Sequence, residues 1–450
     1  MTQHRVFGLA TAISMIVGIV IGSGIFFKAD DILLATGGNI SIGLMLLGLG
    51  AAAIIFGALS FTEYALRSSG EGGLLSYYDE FISPKVGAGF GFFQSFVYLP
   101  TLMAVVAWIN VIFIARLFSL DLNLAQQCFG AVVLIFALLL INVLSRKLGA
   151  FCQTAATILK LIPLLVIAVL GLSYQGEAIG ASVLDPGAQL IPVHDVGLAW
   201  LASLAPIAFS FDGWTLSLTI SPEVKNAKKT MPRALVLGPL IVLAAYLLYL
   251  SGLTKILGAE AIMTLGDASL DSALGYLFGP FAAKLMLVFI VIAILGVCNG
   301  LLIAGIRMPQ ALAEKAGILP NNFAKRHERY DISLPSALLY LAITLFWLAA
   351  HYLLQNSGIL NGRDITEIAI IFSYLCYIIL YVKLIMMYKN KQVTSVFTGI
   401  ICPIFASIGS LIMFVGGLIS SPFYVGLDIA ICAVVFIAGM YLYSKSARRA

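Results

Sequence analysis

Three features of this chain have residue types and surroundings that can do chemistry: Lys160, Asp212 and the triplet Gly22-Ser23-Gly24. Lys160 is an ammonium set in the apolar run Thr157-Ile158-Leu159-Lys160-Leu161-Ile162-Pro163. Asp212 is a carboxyl in Phe209-Ser210-Phe211-Asp212-Gly213-Trp214. The triplet interrupts Ile21-Gly22-Ser23-Gly24-Ile25-Phe26-Phe27 with poor helix formers, each Gly costing roughly 1 kcal/mol against Ala in a helix interior. A helix that restarts near Ile25 presents N–H groups with no intrahelical partner and partial positive charge, which suit an anion. The glycines let that anion approach the backbone closely. A helix that ends near Phe209-Ser210, just before the turn dipeptide Asp-Gly, presents carbonyls that suit a cation. A ligand with a carboxylate and an ammonium close together satisfies both ends, as the head group of an α-amino acid does. The same arrangement leaves a purely cationic ligand open.

The elements that must hold these groups follow from composition. The chain has 450 residues, of which 61% are hydrophobic and 10% charged, with a mean hydropathy of +1.04. Soluble domains carry about 25% charged residues. The chain is therefore expected to be an all-α polytopic membrane protein, and the composition argues against a soluble enzyme. Twelve apolar stretches are long enough to span a bilayer: 7–35, 41–66, 86–115, 124–143, 150–173, 195–219, 233–256, 279–310, 334–353, 365–388, 397–419 and 424–443. The first is expected to break at 22–25 and the sixth at 210–213. Broken backbone at bilayer depth persists only where protein, a water-filled cavity or a ligand satisfies its polar groups.

Charge placement orients the spans. With the N-terminus inside, 20 of the 26 Lys and Arg residues fall at inner ends or loops and 5 at outer ones, and Lys160 is left over. The excess inside fixes the topology, puts both termini in the cytoplasm of a plasma (inner) membrane, and accounts for the net charge of +5 without a nucleic-acid partner. Lys160 lies mid-span, where an ammonium costs roughly 2.5–3.5 kcal/mol and marks a functional or internally paired group. It is too far from either end of its span to snorkel easily. The six cysteines show no CxxC spacing and the four histidines no HExxH pair, so neither a disulfide framework nor a metal site nor a cofactor is expected. His4 and Arg5 are the basic residues before the first apolar run, which is expected to be an uncleaved helix.

Two interrupted spans at corresponding positions, one running outward and one inward, point to a transporter built from inverted repeats with its site between them. The repeats are 7–175 (spans one to five) and 193–390 (spans six to ten), followed by 397–443 (spans eleven and twelve). Lys160 is then expected to donate to carbonyls in the 18–22 region and to do permanently what a bound Na+ would do. Phe209 is a candidate lid over the substrate, or ordinary packing. The connection Ser68–Pro84 is expected to carry a short interfacial helix, and Glu63 to be buried and paired. Asn299, between Gly296 and Gly300, is as compatible with an interhelical hydrogen bond as with ligand binding.

Ile21-Gly22-Ser23-Gly24-Ile25-Phe26 in a broken first helix resembles the Gly-Ser/Thr-Gly motif of the amino acid–polyamine–organocation superfamily, and Phe209-Ser210-Phe211-Asp212-Gly213-Trp214 resembles its sixth helix. Gly149-Ala150-Phe151-Cys152-Gln153-Thr154, with Lys160-Leu161-Ile162-Pro163 after it, is similar to the fifth helix of the L-type amino-acid transporter branch and its bacterial serine/threonine-exchanger relatives. The resemblance spans roughly 7–390. It implies a LeuT-like 5+5 fold with broken helices 1 and 6 plus two C-terminal helices, alternating access, and Na+-independent exchange of neutral amino acids. It also places the substrate carboxylate on the N–H groups of Ser23, Gly24 and Ile25. The ammonium falls on the carbonyls of Val20 or Ile21 and of Phe209 and Ser210. Lys160 matches the family lysine and Phe209 the gating aromatic. Asp212 departs from the Gly that eukaryotic L-type members often have there. No cysteine lies in 116–124, where eukaryotic light subunits bond a heavy chain, so no such subunit is expected.

The rivals are a proton-coupled amino-acid or polyamine symporter of the same fold, for which Asp212, Glu63 and Lys160 are the titratable candidates, and a membrane enzyme or sensor, for which no catalytic cluster or signalling domain is present in the sequence. Ser210 is small and no further carboxylate is in view for a basic side chain, which favours small or medium neutral L-amino acids.

Overall fold

The computed structural model describes residues 7–68, 73–144, 146–184, 187–203, 207, 210–327, 332–360, 364–420 and 422–447. Among these residues the structure is helical, and its one β pairing is an isolated bridge between Phe7 and Val224. The helices in the first half are α1 (Leu9–Val20), α2 (Ser23–Ala35), α3 (Ile40–Arg67), α4 (Leu74–Phe81), α5 (Pro84–Phe93), α6 (Leu99–Leu117), α7 (Leu124–Leu144), α8 (Arg146–Ser173) and the short α9 (Gly180–Val183). In the second half they are α10 (Ala227–Leu257), α11 (Ala259–Leu265), α12 (Ser269–Phe278), α13 (Pro280–Ala316), α14 (Leu334–Asn356), α15 (Glu367–Lys389), α16 (Cys402–Ser420) and α17 (Pro422–Ala447).

Ten helices among the described residues are long and apolar enough to cross a membrane. Each falls on one of the apolar stretches read from sequence. The two stretches without a continuous helix are 7–35 and 195–219, the pair expected to break. The first break is narrower than expected and lies earlier. Ile21 (φ −76°, ψ 86°) and Gly22 (φ −118°, ψ −138°) leave the helical region, and the chain is helical again from Ser23. Ser23, Gly24 and Ile25 are thus the first turn of α2 and not part of the unwound segment. Their N–H groups nevertheless lack intrahelical acceptors, because a first turn has none. In the second region, a 3-10 helix over Gly197–Ser203 precedes the helical Ser210. A turn follows over 211–213, where Gly213 has φ +87°, a value that favours glycine. The chain continues as a 3-10 helix over Trp214–Glu223, past the expected end at 219.

Several other helices also outrun their apolar stretches, α13 reaching Ala316 and α10 starting at Ala227. Hydropathy registers where lipid stops, whereas backbone hydrogen bonding continues wherever charges find partners. The Lys315 ammonium on α13 pairs with Glu80 at 3.2 Å, which also docks α4, the short helix expected between Ser68 and Pro84. Glu63 on α3 is paired as expected, with Arg67 at 2.5 Å, and accepts from the Thr398 hydroxyl.

The third span bends at a π turn, Gln94–Tyr98, between α5 and α6. Such a bulge changes which side chains face the interior. That span and α13 are the innermost, each 78% buried over its most apolar window, against 28% for α7 and 17% for α17. α1 packs against α8, α10, α13 and the Trp214–Glu223 helix, so the broken first span lies at the centre of the bundle.

The end of the molecule that carries the start of α1 is clamped. The Phe7 N–H donates to the Glu223 carbonyl (3.0 Å) and the Lys225 N–H to the Phe7 carbonyl (2.8 Å). The Arg307 guanidinium grips the Glu223 carboxylate with two hydrogen bonds, at 2.9 and 3.2 Å. Removing one member of a buried pair strands the other charge, at about 3–5 kcal/mol. Arg307→Met should therefore lower the melting temperature of the detergent-solubilised protein clearly, and adding Glu223→Gln should restore much of the loss.

Candidate functional site

Lys160 is fully buried. It projects from α8 into the break in α1, where its Nζ donates to the Gly18 carbonyl (2.6 Å) and to the Ile21 carbonyl. The local chain explains why these acceptors are open to it. The Gly22 N–H bonds to Val20 and so does not turn back to Gly18, as it would in a continuing helix. Ile21 lies just beyond the last turn of α1. Helix ends leave such carbonyls without intrahelical partners, and the ammonium supplies donors to two of them. Both contacts fall within the 18–22 region expected from sequence.

One face of α8 extends this contact. Thr157, one turn before Lys160, donates to the Ser14 carbonyl of α1 at 3.1 Å. Gln153, a further turn back, accepts from Asn299 of α13 at 3.1 Å. Asn299 also donates to the Gly149 carbonyl (2.9 Å) and accepts from Asn142 of α7 (2.7 Å). Asn299 is thereby an interhelical hydrogen-bond contact, the first of its two readings. The close approach of α1 to α8 depends on glycine: a Cβ on Gly18 would lie 2.4 Å from Gln153 Nε2 and 2.5 Å from Thr157 Oγ1.

The two breaks are joined by a residue that sequence did not single out. The Tyr246 hydroxyl on α10 lies 3.0 Å from the Val20 carbonyl and 2.7 Å from the Ser210 carbonyl. These are two of the carbonyls expected to take the ligand's ammonium. A phenol has one proton, so it serves one of them at a time. Its ring packs against Phe211 at 5.1 Å between centroids.

Between the breaks lies a cavity of about 30 Å³. Ile19, Val20 and Gly22 line it from the first span, Asp212 and Gly213 from the sixth, and Val297 from α13. Asp212 is 8% exposed and accepts a hydrogen bond from the Tyr98 hydroxyl at 2.7 Å. Of the site residues expected from sequence, Val20, Gly22 and Asp212 therefore meet at one cavity, Ile21 is held by Lys160, and Ser210 is held by Tyr246. Ser23, Gly24 and Ile25 contribute the opening backbone turn of α2 beside it. Phe209 lies outside the described residues. No group of His, Cys, Asp and Glu among the described residues could hold a metal ion.

Residues 7–441 match the model of the family described as amino acid permease. The chain is 30% identical over 446 residues to the serine/threonine exchanger SteT of Bacillus subtilis, a match covering 98% of this chain and 97% of that protein. It is 28% identical over 307 residues to the human b(0,+)-type amino acid transporter 1, covering 65% of this chain and 59% of that protein. It is 24% identical over 347 residues to the human cystine/glutamate transporter, covering 76% and 67% respectively.

Proposed function

The chain belongs to the amino acid permease family, and from that membership we propose that it exchanges small or medium neutral L-amino acids across the plasma (inner) membrane, independently of Na+. It is an integral, multi-pass membrane protein and an amino-acid transporter, not an enzyme. The finer reading is a twelve-span, LeuT-like arrangement in which 7–175 and 193–390 are inverted repeats, with both termini cytoplasmic and no heavy-chain subunit.

In this reading the substrate carboxylate docks on the N–H groups of Ser23, Gly24 and Ile25. Its ammonium takes the carbonyls of Val20 or Ile21 and of Phe209 and Ser210, displacing the Tyr246 hydroxyl. Phe209 closes over the bound molecule, and Asp212 forms part of the wall. The observation that carries the proposal is the Lys160 ammonium on the Gly18 and Ile21 carbonyls. It supplies a fixed positive charge against the unwound segment, where a co-transported cation would otherwise be needed. Similarity to a serine/threonine exchanger over nearly the full length supports exchange and small substrates.

Counterflow tests this directly. Reconstituted protein preloaded with an unlabelled amino acid should take up labelled serine, threonine or alanine only while the internal pool lasts, and a panel of external neutral amino acids should compete. Failure of every amino acid to compete would contradict the proposal.

A further inference from the structure

The cavity wall at the two breaks has an uneven composition. Among the described residues, Asp212 is the one titratable side chain that lines it, and the other lining side chains are aliphatic, Ile19, Leu102, Val297 and Ile370 among them. At about 30 Å³ the cavity holds water but not an amino acid. It must therefore widen around a substrate, whose side chain then meets this wall. Aliphatic walls separate substrates weakly, whereas a buried polar group separates them strongly according to whether its hydrogen bonds are met. The selective element of the wall is therefore the carboxyl of Asp212, and what matters is how much of it is free.

Tyr98 answers that. Its hydroxyl donates to Asp212 Oδ2 at 2.7 Å. Tyr98 is fully buried, closes the π turn Gln94–Tyr98 and packs its ring against Phe93 at 6.2 Å. The surrounding core holds the side chain in place. Two other tyrosines lie near Asp212. The Tyr377 hydroxyl is paired with Thr215 at 3.1 Å, and the Tyr374 hydroxyl has no hydrogen-bond partner among the described residues. Neither is bonded to the carboxyl.

We propose that Tyr98 sets the class of side chain the transporter accepts: by donating to Asp212 Oδ2 it takes the acceptor position through which a cationic substrate side chain would be held and keeps the site selective for neutral ones. This rests on the reading of the cavity as the substrate site. Tyr98→Phe keeps the ring and removes one oxygen, freeing Asp212 Oδ2 to accept from a side-chain ammonium.

The experiment compares norvaline with 2,4-diaminobutyrate as competitors of counterflow in proteoliposomes. The two side chains have the same number of heavy atoms and differ in a terminal methyl or ammonium. The unsubstituted protein should prefer norvaline by at least about tenfold, and Tyr98→Phe should shift the preference toward 2,4-diaminobutyrate by at least about tenfold. Adding Asp212→Asn to Tyr98→Phe should cancel the shift. A Tyr98→Phe protein whose preference matches that of the unsubstituted one overturns the proposal, as does a shift that survives Asp212→Asn. If Tyr98→Phe does not fold, the unsubstituted protein decides: preference for 2,4-diaminobutyrate overturns the proposal and preference for norvaline supports it. If the unsubstituted protein exchanges no amino acid, the reading of the site fails with it, a result separate from exchange that continues without a Tyr98 effect.

Discussion

Lys160→Met lowers exchange by about a hundredfold while leaving the protein folded. Methionine fills nearly the same space on α8 but has no donor, so the Gly18 and Ile21 carbonyls lose the ammonium that holds them. Each buried acceptor left without a partner costs about 1–3 kcal/mol. That cost falls on the conformation in which the unwound segment is ordered for substrate. A shift of that size lowers the initial rate of counterflow by about a hundredfold. The fold should survive, because an ammonium that costs roughly 2.5–3.5 kcal/mol at bilayer depth is no longer buried, and Thr157 and the Asn299 network still fasten α8 to α1 and α13. A monodisperse peak in detergent with strongly reduced counterflow is the expected pair of results. Near-normal exchange would show that the carbonyls do not need the ammonium.

Gly24→Val should be nearly as damaging, whereas Ser23→Ala should be tolerated. Both residues are in the first turn of α2, where N–H groups point away from the helix without intrahelical acceptors. If those N–H groups are what hold the carboxylate, the Ser23 hydroxyl is dispensable, and its loss changes competition by serine or alanine by no more than about threefold. A branched side chain on Gly24 stands where the carboxylate must approach the backbone, and valine is no poorer a helix former than glycine, so lost helix preference is not the cause. Counterflow should then fall by at least about tenfold, mainly through weaker apparent affinity. The reverse order of effects would mean that the serine side chain, not the backbone, makes the contact.

Much of this arrangement is legible in the sequence. The broken spans stand out because Gly22-Ser23-Gly24 and Asp212-Gly213 are the wrong residues for the middle of an apolar helix, and Lys160 stands out because it is the one cation with no place in the loops. Composition and periodicity report such conflicts well. They report compatible residues poorly. Tyr246 and Tyr98 are two of 18 tyrosines, and Gly18 is one of 42 glycines. Nothing in their neighbourhoods distinguishes them, since all are acceptable in an apolar span. Their roles come from partners far along the chain: Tyr246 meets a carbonyl 226 residues away, and Tyr98 a carboxyl 114 residues away. The first break lies a few residues from its expected place for a related reason. Glycine signals that a helix can end, but the first turn of α2 is helical whichever of its residues resist helix, because packing against the bundle outweighs propensity. Helix α13 runs past its expected end at 310, where Lys315 finds an acidic partner, because hydropathy registers charge as an exit from the membrane.

The central claim is that the Lys160 ammonium takes the place of a mobile cation. The most direct measurement is the initial rate of labelled amino-acid counterflow into proteoliposomes, with and without an inward Na+ gradient at matched ionic strength and membrane potential. The rate should be the same in the two conditions, to within about twofold. A rate that rises steeply with the Na+ gradient would contradict the account.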